Sequence, residues 1–200
     1  NIDQTLSFIR DNAGNIQSVL FALERIGIQA TVTDNTEEIR TADKIIFPGV
    51  GEASTAMNYL RERKLDQLIV SLKQPVLGIC LGMQLLCSHS EEGDTNCLSV
   101  FEKISVKKFI SVNNKFKIPQ IGWNTISNLQ SKLFTKVAEN SYCYFVHSYY
   151  AEESKLSIAK TNYIQPYSSA LTHNNFYGVQ FHPEKSAAVG EQILKNFLDL

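Results

Sequence analysis

The chain predicts an α/β fold in which a mainly parallel sheet is covered by helices on both faces. Three observations carry this. Short apolar strands alternate with helical segments through the first half, joined by short connections, as in strand–helix–strand units. Val76 to Ile79 is a proline-led apolar run with two β-branched residues, the pattern of a strand buried on both faces. The second half shifts to aromatic-rich strands with turn signals between them, which adds an antiparallel part.

Thr5 to Ile9 reads as the first strand. Asp11-Asn12-Ala13-Gly14-Asn15 is a turn, followed by a helix over about 16–26 that Gly27 ends. Ile28 to Thr33 and Lys44 to Phe47 are the second and third strands. Pro48-Gly49-Val50-Gly51 follows, then a helix through about Arg63. That glycine-rich loop lacks both the G-K-[ST] ending and the G-x-G-x-x-G pattern, so a nucleotide site is not expected. Its backbone N–H groups point instead to donation into a neighbouring site, since ligands of open α/β sheets bind at the carboxyl ends of strands. A helix over 83–88 follows the Val76 strand. Leu98 to Val106 and Phe116 to Ile126 read as antiparallel strands turning at Asn113-Asn114. Tyr142 to Tyr150, Ser157 to Thr161, Ser169 to Thr172 and Phe176 to Phe181 are further strands, with a hairpin at Asn174-Asn175. A last helix spans about 190–198.

At 200 residues and 44% apolar composition the chain is read as one domain with a full core. A formal net charge of −1, with Lys107-Lys108 as the densest basic spot, argues against nucleic acid or an anionic membrane as partner. No apolar stretch approaches a membrane span, and the amino end has no signal-peptide pattern. The four cysteines show no C-x-x-C spacing, so neither a zinc site nor a disulfide framework is expected, and a reducing cytosol fits. No metal or cofactor is called for.

Gly78-Ile79-Cys80-Leu81-Gly82 sits between strand and helix as a G-x-C-x-G nucleophile elbow. The glycines are expected to relieve crowding and positive φ at the sharp reversal. The elbow puts Cys80 at a helix N-terminus, where unpaired N–H groups and the dipole favour a thiolate. The N–H of Leu81 faces the same point as an oxyanion donor. Gln84 lies one turn on, on the face of Cys80.

A cysteine nucleophile needs a base. His147 and His182 both end apolar strands, His89 follows the elbow helix with no obvious carboxylate geometry, and His173 lies by an exposed hairpin. Of the two that end strands, only His182 has a carboxylate two positions on, in His182-Pro183-Glu184, where an extended backbone would point both side chains the same way. Pro183 stiffens the link. Cys80, His182 and Glu184 thus form a triad by role: nucleophile, base and orienter.

These motifs, with the Pro-Gly-Val-Gly loop and the His147-Ser148-Tyr149 segment, resemble the class I glutamine amidotransferases over nearly the whole chain. Within that family the chain is most similar to the glutaminase subunits of imidazole glycerol phosphate synthases. Asn12-Ala13-Gly14-Asn15, Gly122-Trp123-Asn124 and the Lys185-Ser186 continuation after His-Pro-Glu carry this finer resemblance. Asp11-Asn12-Ala13 departs from the Asp-Tyr-Gly usual there, and the opening strand is more polar than usual.

The resemblance implies a flavodoxin-like sheet and a single amidotransferase domain. It implies glutamine hydrolysis through a Cys80 thioester, with the oxyanion held by Leu81 and by the Gly49-Val50 turn. Glutamine would lie against Gly51, Gln84, Glu92, Ser148 and Tyr149, so Glu92, otherwise part of a solvated acidic loop, becomes a ligand contact. It implies ammonia transfer to a (β/α)₈ cyclase subunit in a cytoplasmic heterodimer of histidine biosynthesis, through an interface including Trp123, Asn124, Tyr144 and Lys185. Low glutaminase activity without that partner is expected, through a Val50 N–H turned away from the site. A paralogue supplying ammonia to a surface-sugar amidation enzyme, a silent binding module on the same fold, and a cysteine peptidase or γ-glutamyl hydrolase are the alternatives.

Overall fold

The computed structural model describes residues 6–9 by their backbone, and residues 16–49 and 51–200 in full. The turn at 11–15 and the Val50 N–H lie outside the described residues. The first half runs β1 (Leu6–Ile9), α1 (Gln17–Arg25), β2 (Ala30–Thr33), α2 (Thr36–Thr41), β3 (Lys44–Gly49), α3 (Ala53–Glu62), α4 (Leu65–Ser71), β4 (Val76–Cys80) and α5 (Leu81–Leu86). The second runs β5 (Cys87–Ser90), β6 (Thr95–Asn96), β7 (Phe101–Lys108), β8 (Gln120–Ile126), β9 (Ser141–His147), β10 (Tyr149–Ala151), β11 (Ser157–Tyr163), β12 (Gln165–His173), β13 (Phe176–Val179) and α6 (Ala187–Leu198).

β2, β1, β3, β4 and β13 lie side by side in that order and all parallel. The antiparallel β12, β10 and β7 continue the same sheet to β5 and β6. Every residue of β3 and β4 is buried, as a strand covered on both faces requires. One core packs α2, α3, α4 and α5 against one face through Ile39, Met57, Leu60, Leu68, Leu85 and Phe47. The other packs α1 and α6 against the opposite face through Leu23, Phe197, Ile46, Leu77 and Ile79. Helices therefore cover both faces, as expected.

Several elements differ from the sequence reading. The helix after Cys80 stops at Leu86, because Cys87 turns extended and β5 joins β7 in parallel. β7 and β8 are not a hairpin. β7 pairs with β10 and β5, while β8 pairs with β9 as a separate two-stranded ribbon. Period-two alternation tells which face a residue occupies and not which strand lies beside it. The expected strand over 142–150 breaks at Ser148 into β9 and β10, which join different sheets. Two helices went unread. α2 had a legible signal, Asn35, whose side chain accepts from the N–H groups of Glu37 and Glu38. α4 begins at left-handed Lys64 with no glycine or proline to mark the break from α3.

Candidate active site

The parallel ladder decides where the nucleophile stands. β4 ends on Cys80 with β3 on one side, placing Gly49 opposite Cys80, and β13 on the other, placing Val179 opposite Ile79. The reversal into α5 falls on Cys80 itself, at φ 55° and ψ −113°. This corrects the positive φ expected of the glycines, since neither Gly78 nor Gly82 has it, while the expected crowding is borne out. They are needed for space. A Cβ on Gly82 would lie 1.9 Å from the Phe47 carbonyl oxygen, and one on Gly78 would meet the Gly82 backbone at 2.9 Å. Strand β3, elbow and helix α5 approach too closely for side chains there, and the strained φ is left to the reactive residue.

His182 follows β13 and is pinned to β9. Its N–H donates to the Tyr144 carbonyl at 2.9 Å. Ser186 Oγ donates to the His182 carbonyl at 2.6 Å and accepts from the Tyr144 N–H at 3.0 Å. His182 Nδ1 meets Glu184 Oε1 at 2.6 Å. The pair is as predicted but its geometry is not extended, because Pro183 opens a 3-10 turn over Pro183–Lys185 that swings the carboxylate back to the ring. Burial disfavours charge on this imidazole. The Cys80 sulfur on one side and Glu184 on the other outweigh that and push its pKa up to about 10.

A cavity of about 260 Å³ opens beside these groups, lined by Gly51, Cys80, Leu81, Gln84, Glu92, Val146, His147, Ser148, Tyr149, His182 and Lys185. It thus brings the expected nucleophile, base, Leu81 donor and all five expected glutamine contacts to one space. Glu92 is half-buried. Burial raises its carboxyl pKa, while the Ala53 N–H at 2.7 Å supports the ionised form. Gln84 donates to the Tyr149 carbonyl at 3.0 Å and to Gln180 Oε1 at 2.8 Å.

The other histidines are accounted for. His147 reaches the cavity wall, but its nitrogens face the Tyr149 carbonyl at 2.7 Å and Gln120 Oε1 at 2.9 Å. Burial, aided by nearby His182, lowers its pKa to about 4, so it stands as a neutral structural ring. His89 does have a carboxylate, Asp94 at 2.7 Å in the surface turn after β5, contrary to the sequence reading. His173 is exposed. Burial raises the thiols of Cys87, Cys97 and Cys143, the last two to about 11 and 12.

Next to the cavity mouth, the β8–β9 ribbon turns one face to solvent. Ile121 is 64% exposed, Trp123 53% and Tyr142 60%. Trp123 is paired across the ribbon with Tyr144, their rings 5.8 Å apart edge to face. Asn124 faces the other way, donating to the Asn162 carbonyl at 3.0 Å and tying the ribbon to β11. Lys185 is exposed at the cavity rim. The residue that sequence reasoning missed is Gln180, fully buried and donating to Cys80 Sγ at 3.7 Å. Its only signal was its place two residues before His182.

Among the described residues no group of three or more His, Cys, Asp or Glu is placed to hold a metal ion, and no helix is long and apolar enough to cross a membrane.

A family model described as glutamine amidotransferase class-I matches residues 8–200, and the chain belongs to the class I glutamine amidotransferases. Its relatives narrow the resemblance. It is 52% identical over 195 residues to a Bacteroides thetaiotaomicron protein named imidazole glycerol phosphate synthase subunit HisH, covering 98% of this chain and 99% of that one. A Bacteroides fragilis protein of the same name is 53% identical with the same coverage, and one from Idiomarina loihiensis is 45% identical over 93% of each chain. The fold is also that of a glutamine amidotransferase from Thermotoga maritima, with a TM-score of 0.64 at 16% identity over 98% of this chain and 83% of that one.

Proposed function

We propose that Cys80, His182 and Glu184 hydrolyse the side-chain amide of glutamine, and that the ammonia goes to a (β/α)₈ cyclase partner. The chain is a glutamine amidotransferase, and its full-length identity to the HisH proteins assigns it to imidazole glycerol phosphate formation in histidine biosynthesis. One observation carries the residue roles: the elbow cysteine, the glutamate-steadied imidazole and the glutamine contacts line one cavity.

The chemistry follows from the charges. With its pKa near 10, His182 holds a proton at neutral pH beside the sulfur. The Cys80 sulfur attacks the amide carbon, and the oxyanion meets the Leu81 N–H, with the Gly49-Val50 turn as second donor on family grounds. As the tetrahedral intermediate collapses, His182 gives its proton to the departing nitrogen, leaving a thioester and ammonia. The thioester carries no charge on sulfur, so one of the attractions that held the imidazolium is gone. The ring becomes a base and takes a proton from water; the hydroxide adds to the acyl carbon, collapse expels the Cys80 thiolate beside the restored imidazolium, and the acid leaves as glutamate after giving its proton to solvent.

Ammonia lost to bulk water is protonated and no longer a nucleophile, so a docked acceptor is needed at the cavity mouth. The exposed face of Trp123, Tyr142 and Ile121, with Tyr144 and Lys185 beside it, suits that partner. Aromatic residues are enriched at interface centres, and charged groups such as Lys185 belong to the polar rim. The chain is read as one catalytic domain of a cytoplasmic heterodimer.

The test is labelling with a chloroketone analogue of glutamine, expected on Cys80 and absent in Cys80→Ala. It is paired with glutamine-dependent imidazole glycerol phosphate formation after reconstitution with a barrel cyclase. Failure of a histidine auxotroph lacking the subunit to be complemented would redirect the ammonia to another acceptor.

A further inference from the structure

We propose that Gln180 is a further catalytic residue, whose side-chain amide donates a hydrogen bond to the Cys80 sulfur and stabilises its anionic form. This rests on the reading of Cys80 as nucleophile. Gln180 directly follows β13, and the parallel register of β13 with β4 carries it to the level of Cys80. Its N–H donates to the Ser169 carbonyl at 2.9 Å, which holds the backbone. The side chain is fully buried, so its amide must find partners inside the protein.

Those partners settle which way the amide points. The Tyr149 carbonyl can only accept, so the Gln84 atom facing it at 3.0 Å is the nitrogen. That nitrogen also faces Gln180 at 2.8 Å, so the Gln180 atom there is the oxygen. The Gln180 nitrogen is then the atom directed at Cys80 Sγ, 3.7 Å away. The polarity of the chain is thus set by one backbone carbonyl, and it ends on a donor aimed at the reacting atom. Cys80 has its own way to donate, to the Val146 carbonyl at 3.7 Å while it is a thiol. Once the proton has passed to His182, the sulfur can only accept, and among the described side chains Gln180 offers it a neutral donor on the side away from the solvent. No proton leaves Gln180 in this step. It offers a dipole where charge gathers and holds the sulfur against the imidazole.

Two substitutions separate this from an indirect role through Gln84. Gln180→Glu keeps an oxygen for Gln84 but turns a carboxylate oxygen toward the sulfur. Gln180→Leu removes both contacts. The readout is the rate of Cys80 alkylation by iodoacetamide at pH 7 in the full chain, with each cysteine resolved by peptide mass mapping. Both variants are expected to react at least about tenfold more slowly than the unsubstituted chain, with Gln180→Glu slowed at least as much as Gln180→Leu. A Gln180→Glu rate equal to that of the unsubstituted chain overturns the proposal. Cys80 reacting no faster than Cys97 in the unsubstituted chain overturns the nucleophile assignment and this proposal with it. Should the variants fail to fold, hydrogen exchange of the Gln180 side-chain amide serves. Exchange at least tenfold slower in the unsubstituted chain than in Cys80→Ala is expected, and equal exchange overturns the proposal.

Discussion

At the scale of single residues, the site is a set of buried groups whose ionisation is decided by their neighbours. His182 and His147 line the same cavity and move in opposite directions. His182 lies between the Cys80 sulfur and Glu184, and its raised pKa means the folded state binds the proton more tightly than the unfolded chain. That pairing stabilises the fold in full below pH 6.5 and the contribution is lost as pH climbs through about 10. Glu184→Gln is therefore expected to lower the melting temperature at pH 6 and to match the unsubstituted chain above pH 10. It should also cut glutamine turnover at least about a hundredfold, as loss of an orienting carboxylate does. His147 follows the reverse rule. Its folded-state pKa of about 4 lies below its ordinary 6.5, so stability is complete above 6.5 and declines as pH falls toward 4. The interval corresponds to about 3 kcal/mol. His147→Gln should flatten that acid limb in denaturant titrations between pH 4 and 7, with little change in the alkaline limb.

Among secondary-structure elements, close approach does what the elbow motif alone does not explain. The 3-10 turn that carries Glu184 rests on α6, where a Cβ added to Gly190 would stand 1.8 Å from the Pro183 carbonyl oxygen. Backbone cannot yield as a flexible side chain does, so Gly190→Ala must move the turn or the helix. The expected result is a fall in glutamine turnover of tenfold or more, with Cys80 alkylation by a small reagent retained. Retained turnover would show that the turn tolerates the shift. Of the two reasons expected for the glycines of the G-x-C-x-G pattern, crowding is the one that holds. Its glycines are there because β3, the elbow and α5 crowd together, and no residue count along the chain reports how near Phe47 comes to Gly82.

At the level of the whole molecule, the sheet divides the work. Its parallel part delivers Cys80 and the Gly49 and Gly51 backbone, and its antiparallel extension delivers Tyr149. The separate β8–β9 ribbon closes the cavity from the side and turns an apolar face outward. Trp123→Ala should weaken binding of the cyclase partner about tenfold or more in titration calorimetry while leaving the melting temperature of the isolated chain unchanged. A lowered melting temperature would instead mark Trp123 as a packing residue.

What the sequence determined by itself was encoded at short range. The elbow, the two-residue spacing of His182 and Glu184 and the buried strand at 76–79 each depend on neighbours within a few positions, where covalent geometry limits the options. Only the tertiary structure decided which strands adjoin, which histidine is charged, that Gln180 lies against the sulfur and that Asn124 turns inward while Trp123 turns out. Those outcomes turn on burial and on contacts between residues up to about a hundred positions apart. Such contacts are set by how layers pack, a quantity with no local signature along the chain.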